Sequence, residues 1–198
     1  MPELGCPRDL DRIVACLRHH RPRLIPEAHA QGRLAATALI LHEDPAAGTH
    51  VLLIERTVRE SDHWSGHMAL PGGRPDPGDH DLAATAIRET REEVGIELAA
   101  PIGRLDDIGS LTAGIVVSPF VFVVHEEPEL ELHPEEVQSA AWVPLSYLAS
   151  PDAVTTTWYE GRGPFPAFRW GPSPIWGLTY RTLTRFLELV GCASASDE

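Results

Sequence analysis

Strand-like and helix-like patterns alternate along the 198 residues, and this alternation predicts an α/β fold. Three observations carry the prediction. Apolar runs of strand length fall at residues 33–42, 50–56, 102–109, 116–125 and 137–143. Helical periodicity falls at 7–20, 81–94 and 178–190. The helix over 81–94 follows a glycine-rich loop, as a helix packed on a sheet does. No repeat or low-complexity linker divides the chain, and its length suits one domain with a sizeable core. One domain over residues 1–193, with 194–198 as a disordered tail, is the expected organisation.

Residues 7–20 read as an amphipathic helix, with Leu10, Ile13, Val14 and Leu17 on one face; Pro22 and Pro26 end it. Residues 33–42 form a strand with an apolar centre, 44–48 a turn, and 50–56 (HVLLIER) a second strand. Beyond the helix over 81–94 come a strand at 102–109, a turn at 111–114 and a long strand at 116–125. Pro119 within that strand predicts a bulge or a sheet edge. An acidic loop (126–136), a strand (137–143) and a short helix opened by Pro144-Leu145-Ser146 follow. Core packing accounts for most of the aromatic stretch 161–181, which holds Phe165, Phe168, Trp170 and Trp176. Leu178, Leu183, Phe186, Leu187 and Val190 give the last helix its apolar face.

Composition excludes several classes. All 16 basic residues are arginine, so no Schiff-base or P-loop lysine exists. The net charge of −13 repels nucleic acid and phosphate unless a metal or local arginines offset it. The balance argues against a nucleic-acid partner, and for metal-mediated binding if phosphate is the substrate. Cys6, Cys16 and Cys192 form no metal-spaced pair and read as ordinary reduced thiols. No basic segment leads into an apolar run at the start, and the apolar stretch 115–124 is too short to span a bilayer. The expectation is a cytoplasmic protein with no membrane partner.

Chemistry concentrates in residues 71–96, PGGRPDPGDHDLAATAIRETREEVGI. Pro71-Gly72-Gly73 makes a turn, and Pro75, Pro77 and Gly78 punctuate a loop. Asp79 or Asp81 caps a helix running to Val94, and Gly95 stops it. Leu82, Ala83, Ala86, Ile87, Thr90 and Val94 share the sheet-facing side. Glu89, Glu92 and Glu93 form an adjoining acidic arc, with Glu93 at the margin of the apolar stripe. As pure structure the arc is costly. Like charges at i,i+4 destabilise a helix by a few tenths of a kcal/mol, and half-burying a carboxylate costs more. Two readings follow: a solvated face with Arg88 paired to Glu92, or clustered oxygens for a hard divalent cation. The glycine-rich loop in front favours the cation.

These residues resemble the Nudix box, G-x5-E-x7-R-E-U-x-E-E-x-G-U, where U is aliphatic. Gly73 matches the first glycine, and residues 88–96 match the end. Asp79 stands where a glutamate is expected, eight residues rather than seven separate it from Arg88, and Thr90 replaces an aliphatic residue. The aspartate and the extra residue also occur in the coenzyme A pyrophosphatase branch. The resemblance implies an α/β/α Nudix sandwich with a mixed β-sheet, and Mg²⁺ or Mn²⁺ as cofactor. It makes Glu89 and Glu93 metal ligands, with the Gly73 carbonyl as a third. Glu92 becomes a ligand or the water-activating base. Arg88 orients the carboxylates by ion pairing.

The segment before the box resembles that branch's signature, L-L-T-x-R-[SA]-x3-R-x3-G-x3-F-P-G-G. Leu52, Leu53, Arg56, Gly66, Pro71, Gly72 and Gly73 match, and Thr57 and Leu70 are near matches. The second arginine is absent; Ser61 or Asp62 stands there, and Arg59 is the nearest substitute. Arg56 and Arg59 are either a solvated strand end or phosphate partners. Trp64 either stacks on an adenine or covers the core, and Gly72 joins the substrate-binding candidates. Glu136 is either a solvated loop acid or, as in several Nudix enzymes, an acid that binds metal or activates water. Residues 175–181 (IWGLTYR) are similar to the branch's IWG-x-T-x-R opening of the last helix. The implied reaction is hydrolysis of a nucleoside diphosphate derivative. Coenzyme A or an acyl-CoA would yield 3′,5′-ADP and 4′-phosphopantetheine. ADP-sugars or dinucleotides are alternative substrates, and a Nudix-like nucleotide-sensing module is the alternative of another class. The intact acid triplet argues against the module. The oligomeric state, a homodimer included, stays open.

Overall fold

The computed structural model describes residues 10–26, 33–58, 66–110 and 114–191. Strands β1 (Arg33–Asp44) and β2 (Gly48–Arg56) form an antiparallel hairpin, paired only near its turn, from Leu41↔Val51 to Asp44↔Gly48. Beyond that the two strands part. The ribbon 68–73 enters the gap, as β3 (Met68–Ala69) on β2 and β4 (Gly72–Gly73) on β1. Helix α2 spans Leu82–Val94 and follows β4. Next come β5 (Gly103–Arg104), β6 (Ile108–Ser110) and β7 (Ile115–Val124), the last parallel to β1 over ten Cα pairs. Strand β8 (Val137–Pro144) closes the other side of β2. Among the described residues these eight strands form one mixed sheet.

Period-two alternation distributes the core between the sheet's two faces. Leu39, Leu41, Val51 and Leu53 pack with α1 (Leu10–His19), α3 (Leu145–Leu148) and α4 (Gly177–Leu189). Ala38, Ile40, Leu52 and Ile54 pack with Ala86 and Val94 of α2. This is the expected α/β/α sandwich. Asp81 caps α2 by accepting from the Ala84 N–H at 2.8 Å, and Gly95 ends it in the left-handed region at φ 75°. Among the described residues no helix is long and apolar enough to cross a membrane. The expected start of α1 at residue 7 and the tail 194–198 lie outside the described residues.

Three expectations need correction. The strand predicted over 102–109 is broken into β5 and β6. Between them Asp107 turns onto the Arg104 guanidinium (2.7 Å), the Ser118 hydroxyl (2.8 Å) and the Ile25 N–H (2.9 Å), and these bonds replace the ladder. Of the two readings for Pro119 the edge is the one that fails: it lies on an interior strand, at an irregularity where residues 105–107 face 118–119. A strand residue's N–H and C=O face the same neighbour, and Pro119 faces the break, where its carbonyl accepts from the Leu105 N–H at 2.9 Å. Its missing N–H therefore costs no bond to β1. The aromatic stretch after residue 153 contains a second sheet, β9 (Val154–Tyr159), β10 (Arg162–Phe168) and β11 (Ile175–Trp176). The sequence reading gives that stretch to core packing and assigns it no strands; in the fold Trp176 meets Phe165, Tyr159 and His67, and Tyr159 meets His67.

Candidate active site

The site forms where the ribbon 68–73 meets α2. Gly72 and Gly73 pair with Thr37 and Ala36 of β1, so the ribbon runs against the sheet. A Cβ on Gly73 would sit 2.4–2.6 Å from the carboxylate atoms of Glu89. The first glycine of the motif is thus a cradle for that side chain.

Arg88 organises the outer part of the site. Its Nη1 donates to Glu92 Oε2 at 2.7 Å, and its Nη2 to Glu89 Oε1 at 2.9 Å and to the Arg74 carbonyl at 3.0 Å. Its Nε and Nη2 both donate to Asp79, each at 3.1 Å. The role expected of Arg88, orienting carboxylates by ion pairing, matches this geometry, as does the i,i+4 pair with Glu92. The motif marks Asp79 as a departure and gives it no role of its own. In the fold it is 6% exposed and takes further bonds from the Thr85 hydroxyl and the Asp76 N–H, both at 2.9 Å. The signal in the sequence is its position six residues past Gly73. The aspartate is shorter by a methylene than the expected glutamate, and the extra residue before Arg88 accompanies that change.

Arg88 holds the Asp79 carboxyl down to about 2, against an ordinary 3.8. A depressed folded pKa adds stability above the unfolded value, and that stability is lost as pH falls through the folded one. Asp79→Asn should therefore cost roughly 1–2 kcal/mol at neutral pH. The gap to wild type should close between about pH 4 and pH 2. Urea melts across that range check it; a gap independent of pH would remove the ion pair from the account.

Glu93 occupies the inner part. Sequence periodicity places it at the margin of the stripe; the structure buries it to 1% exposure. Its Oε2 accepts the Gly72 N–H at 2.8 Å, and its Oε1 lies 3.6 Å from Arg56 Nη1. Burial pushes its pKa up to about 8; Gly72 and Arg56 oppose that rise, while Glu89 and Glu136 add to it. Burial likewise raises Glu89 against the pull of Arg88, with Glu92 and Glu136 again adding. Glu92 is the exposed member, its side chain 49% open.

Glu136 reaches the cluster from the acidic loop. The loop is tied to the end of α2 through the Glu131 N–H on the Val94 carbonyl and the His133 N–H on the Glu93 carbonyl, each at 3.0 Å. The Thr57 N–H then donates to the Glu136 carbonyl at 2.9 Å, fixing the loop's other end to β2. Glu89, Glu92, Glu93, Arg88, Gly73, Arg56 and Glu136 are thus brought together. Gly72, a substrate-binding candidate, donates its N–H to Glu93 at 2.8 Å. Arg59 and Trp64 lie outside the described residues.

The NUDIX domain family matches residues 32–164, more than half of the chain. The mitochondrial coenzyme A diphosphatase NUDT8 of Homo sapiens is 33% identical over 162 residues, covering 77% of this chain and 68% of that protein. The protein C14C4.10c of Schizosaccharomyces pombe, whose name calls it uncharacterized, is 44% identical over 116 residues. That match covers 54% of this chain and 35% of that protein, so this chain spans about a third of that relative's length. Among solved structures, the MutT protein from Methanosarcina mazei Go1 shares the fold at a TM-score of 0.51 and 22% identity. It covers 86% of this chain and 95% of its own. The glycine ribbon, the Arg88 network and the buried Glu93 all fall within the matched span, and the chain belongs to the NUDIX domain family.

Proposed function

We propose that the chain hydrolyses the diphosphate of coenzyme A or an acyl-CoA, giving 3′,5′-ADP and 4′-phosphopantetheine, with Mg²⁺ or Mn²⁺ as cofactor. The observation that carries the hydrolytic reading is Glu93, 1% exposed and flanked by Glu89 and Glu136 under a glycine ribbon. The similarity to a protein named a coenzyme A diphosphatase, and the signature around Arg56 and Gly66, support the substrate.

The donor set suits a hard divalent cation, which prefers carboxylate and carbonyl oxygens. Among the described residues no group of three or more His, Cys, Asp and Glu stands converged for a metal. Here Arg88 takes the Glu89 and Glu92 carboxylates, while the Gly72 N–H takes that of Glu93. Glu89, Glu92 and Glu93, with the Gly73 carbonyl, are the residues that would hold the cation. The cation, when bound, neutralises the diphosphate and the charge that develops on it. To Glu92 and Glu136 we assign the role of orienting a water and accepting its proton. Arg88, paired with both, restrains the Glu89 and Glu92 side chains. Arg59 and Trp64, from the signature segment, serve the nucleotide's peripheral phosphate and its base.

A panel of coenzyme A, 3′-dephospho-coenzyme A, ADP-ribose, dinucleotides and NADH, with Mg²⁺, Mn²⁺ or chelator, tests this reading. Products are identified by mass. The expected result is metal-dependent cleavage between the two phosphorus atoms of coenzyme A, faster than any ADP-sugar or dinucleotide. Faster turnover of an ADP-sugar would sink coenzyme A and leave the hydrolase. Tight nucleotide binding with no turnover would favour a sensing module.

A further inference from the structure

We infer that Arg56 is a positioning residue for Glu93, locking that carboxylate in one orientation for the reaction, and not the partner of a peripheral phosphate. The inference rests on reading the site as a metal-dependent diphosphate hydrolase.

The sequence separates Arg56 from Glu93 by a helix, a loop and a ribbon; the sheet brings them together. Leu52, Ile54 and Arg56 alternate onto the face covered by α2, where Leu52 and Ile54 meet Ala86 and Val94. At the end of β2 the ladder to β8 steps from Glu55↔Ser139 to Arg56↔Val137, so Gln138 is skipped. The extra residue belongs to β8, and bulges, which bend the strand that carries them, gather beside active sites. Arg56 keeps the alternation of β2, and the next backbone bond, Thr57 N–H to the Glu136 carbonyl, closes at 2.9 Å.

The terminal torsion of a glutamate is broad, so a carboxylate held at one oxygen still swings. Glu93 has a hydrogen bond at one oxygen and an ion pair at the other. The Gly72 N–H takes Oε2 at 2.8 Å from β4, and Arg56 faces Oε1 at 3.6 Å from β2. Each oxygen keeps a lone pair for a cation. The Arg56 side chain is 31% exposed, and the Glu93 side chain it faces is 1% exposed.

The test uses the full chain and the variants Arg56→Ala, Arg56→Gln, Arg56→Lys, Glu93→Gln and the double variant Arg56→Ala/Glu93→Gln. Mn²⁺ affinity is read by electron paramagnetic resonance without nucleotide. Hydrolysis is read on coenzyme A and on 3′-dephospho-coenzyme A. Loss of an outer-shell partner typically costs 10–100-fold, so Arg56→Ala should lose about that factor in Mn²⁺ affinity or kcat. The loss in kcat should be equal on both substrates, with KM within about twofold of wild type. Arg56→Lys should recover part of the loss. In the Glu93→Gln background Arg56→Ala should cost nothing further, since the two act as one unit. Arg56→Gln keeps the apolar stem and stands in if the alanine variant does not fold. A loss on coenzyme A that spares the dephospho form would overturn the inference and give Arg56 to the 3′-phosphate. Unchanged Mn²⁺ affinity together with unchanged kcat would also overturn it, as would additive effects in the double variant. If wild type cleaves neither substrate, the coenzyme A reading fails, and the Mn²⁺ measurements still decide the role of Arg56.

Discussion

Glu93→Gln is expected to leave a folded protein with about a thousandth of the wild-type turnover. The two halves of this result have separate causes. Folding survives because burial disfavours the charge of Glu93, pushing its pKa up to about 8, so that losing the charge costs the fold little. An amide has nearly the shape of the carboxyl group, and its oxygen still accepts the Gly72 N–H. Turnover falls because an amide brings no charge to a cation, and the lost ligand removes about 4 kcal/mol of transition-state stabilisation. The measurement is kcat/KM at saturating Mg²⁺ and Mn²⁺ beside a thermal melt. Near wild-type kinetics would refute the assignment of Glu93. A collapsed melt would show instead that the charged form is needed to fold.

Gly72→Ala should cost about 3–4 kcal/mol of stability, a fall of roughly 10 °C in melting temperature. An added Cβ would lie 2.2 Å from the Ala36 carbonyl oxygen and 2.7 Å from the Thr37 Cα. Both are backbone atoms of β1 and cannot rotate away. The residue also sits at φ +148°, which side-chain-bearing residues rarely adopt. Relief requires β4 to lift from β1, and that breaks the Gly72 N–H bond to Glu93 as well. Activity should therefore fall with stability. Gly78 is the control: nothing lies within 4 Å of an added Cβ there. Gly78→Ala should change stability by no more than about 0.5 kcal/mol. Equal melting temperatures for the two alanine variants would show that β4 does not need its close approach to β1.

Helix α2 is legible in the sequence because its determinants are local. Asp81, the 3.6-residue stripe and Gly95 act within a few residues of where they stand, and α2 begins and ends where they direct. The same holds for β1, β2 and the outer pairing of Arg88 with Glu92, four residues apart on one helix face. The motif also places the acids and the glycines in one neighbourhood. Three matters are not local. How deep Glu93 lies depends on the ribbon that closes over it, and periodicity gives a face, never a depth. The sequence offers both Asp79 and Asp81 as caps; Asp81 takes the role because Arg88 claims Asp79 from nine residues away. The meeting of Arg56 with Glu93 needs strand β2 and helix α2 packed in register, and no short window of sequence contains both. Residue types and short spacings determined which elements form and which acids cluster. Only the packing of β2, β4 and α2 decided which acid is buried and which arginine faces it, because burial and long-range pairing belong to surfaces that exist only once the chain has folded.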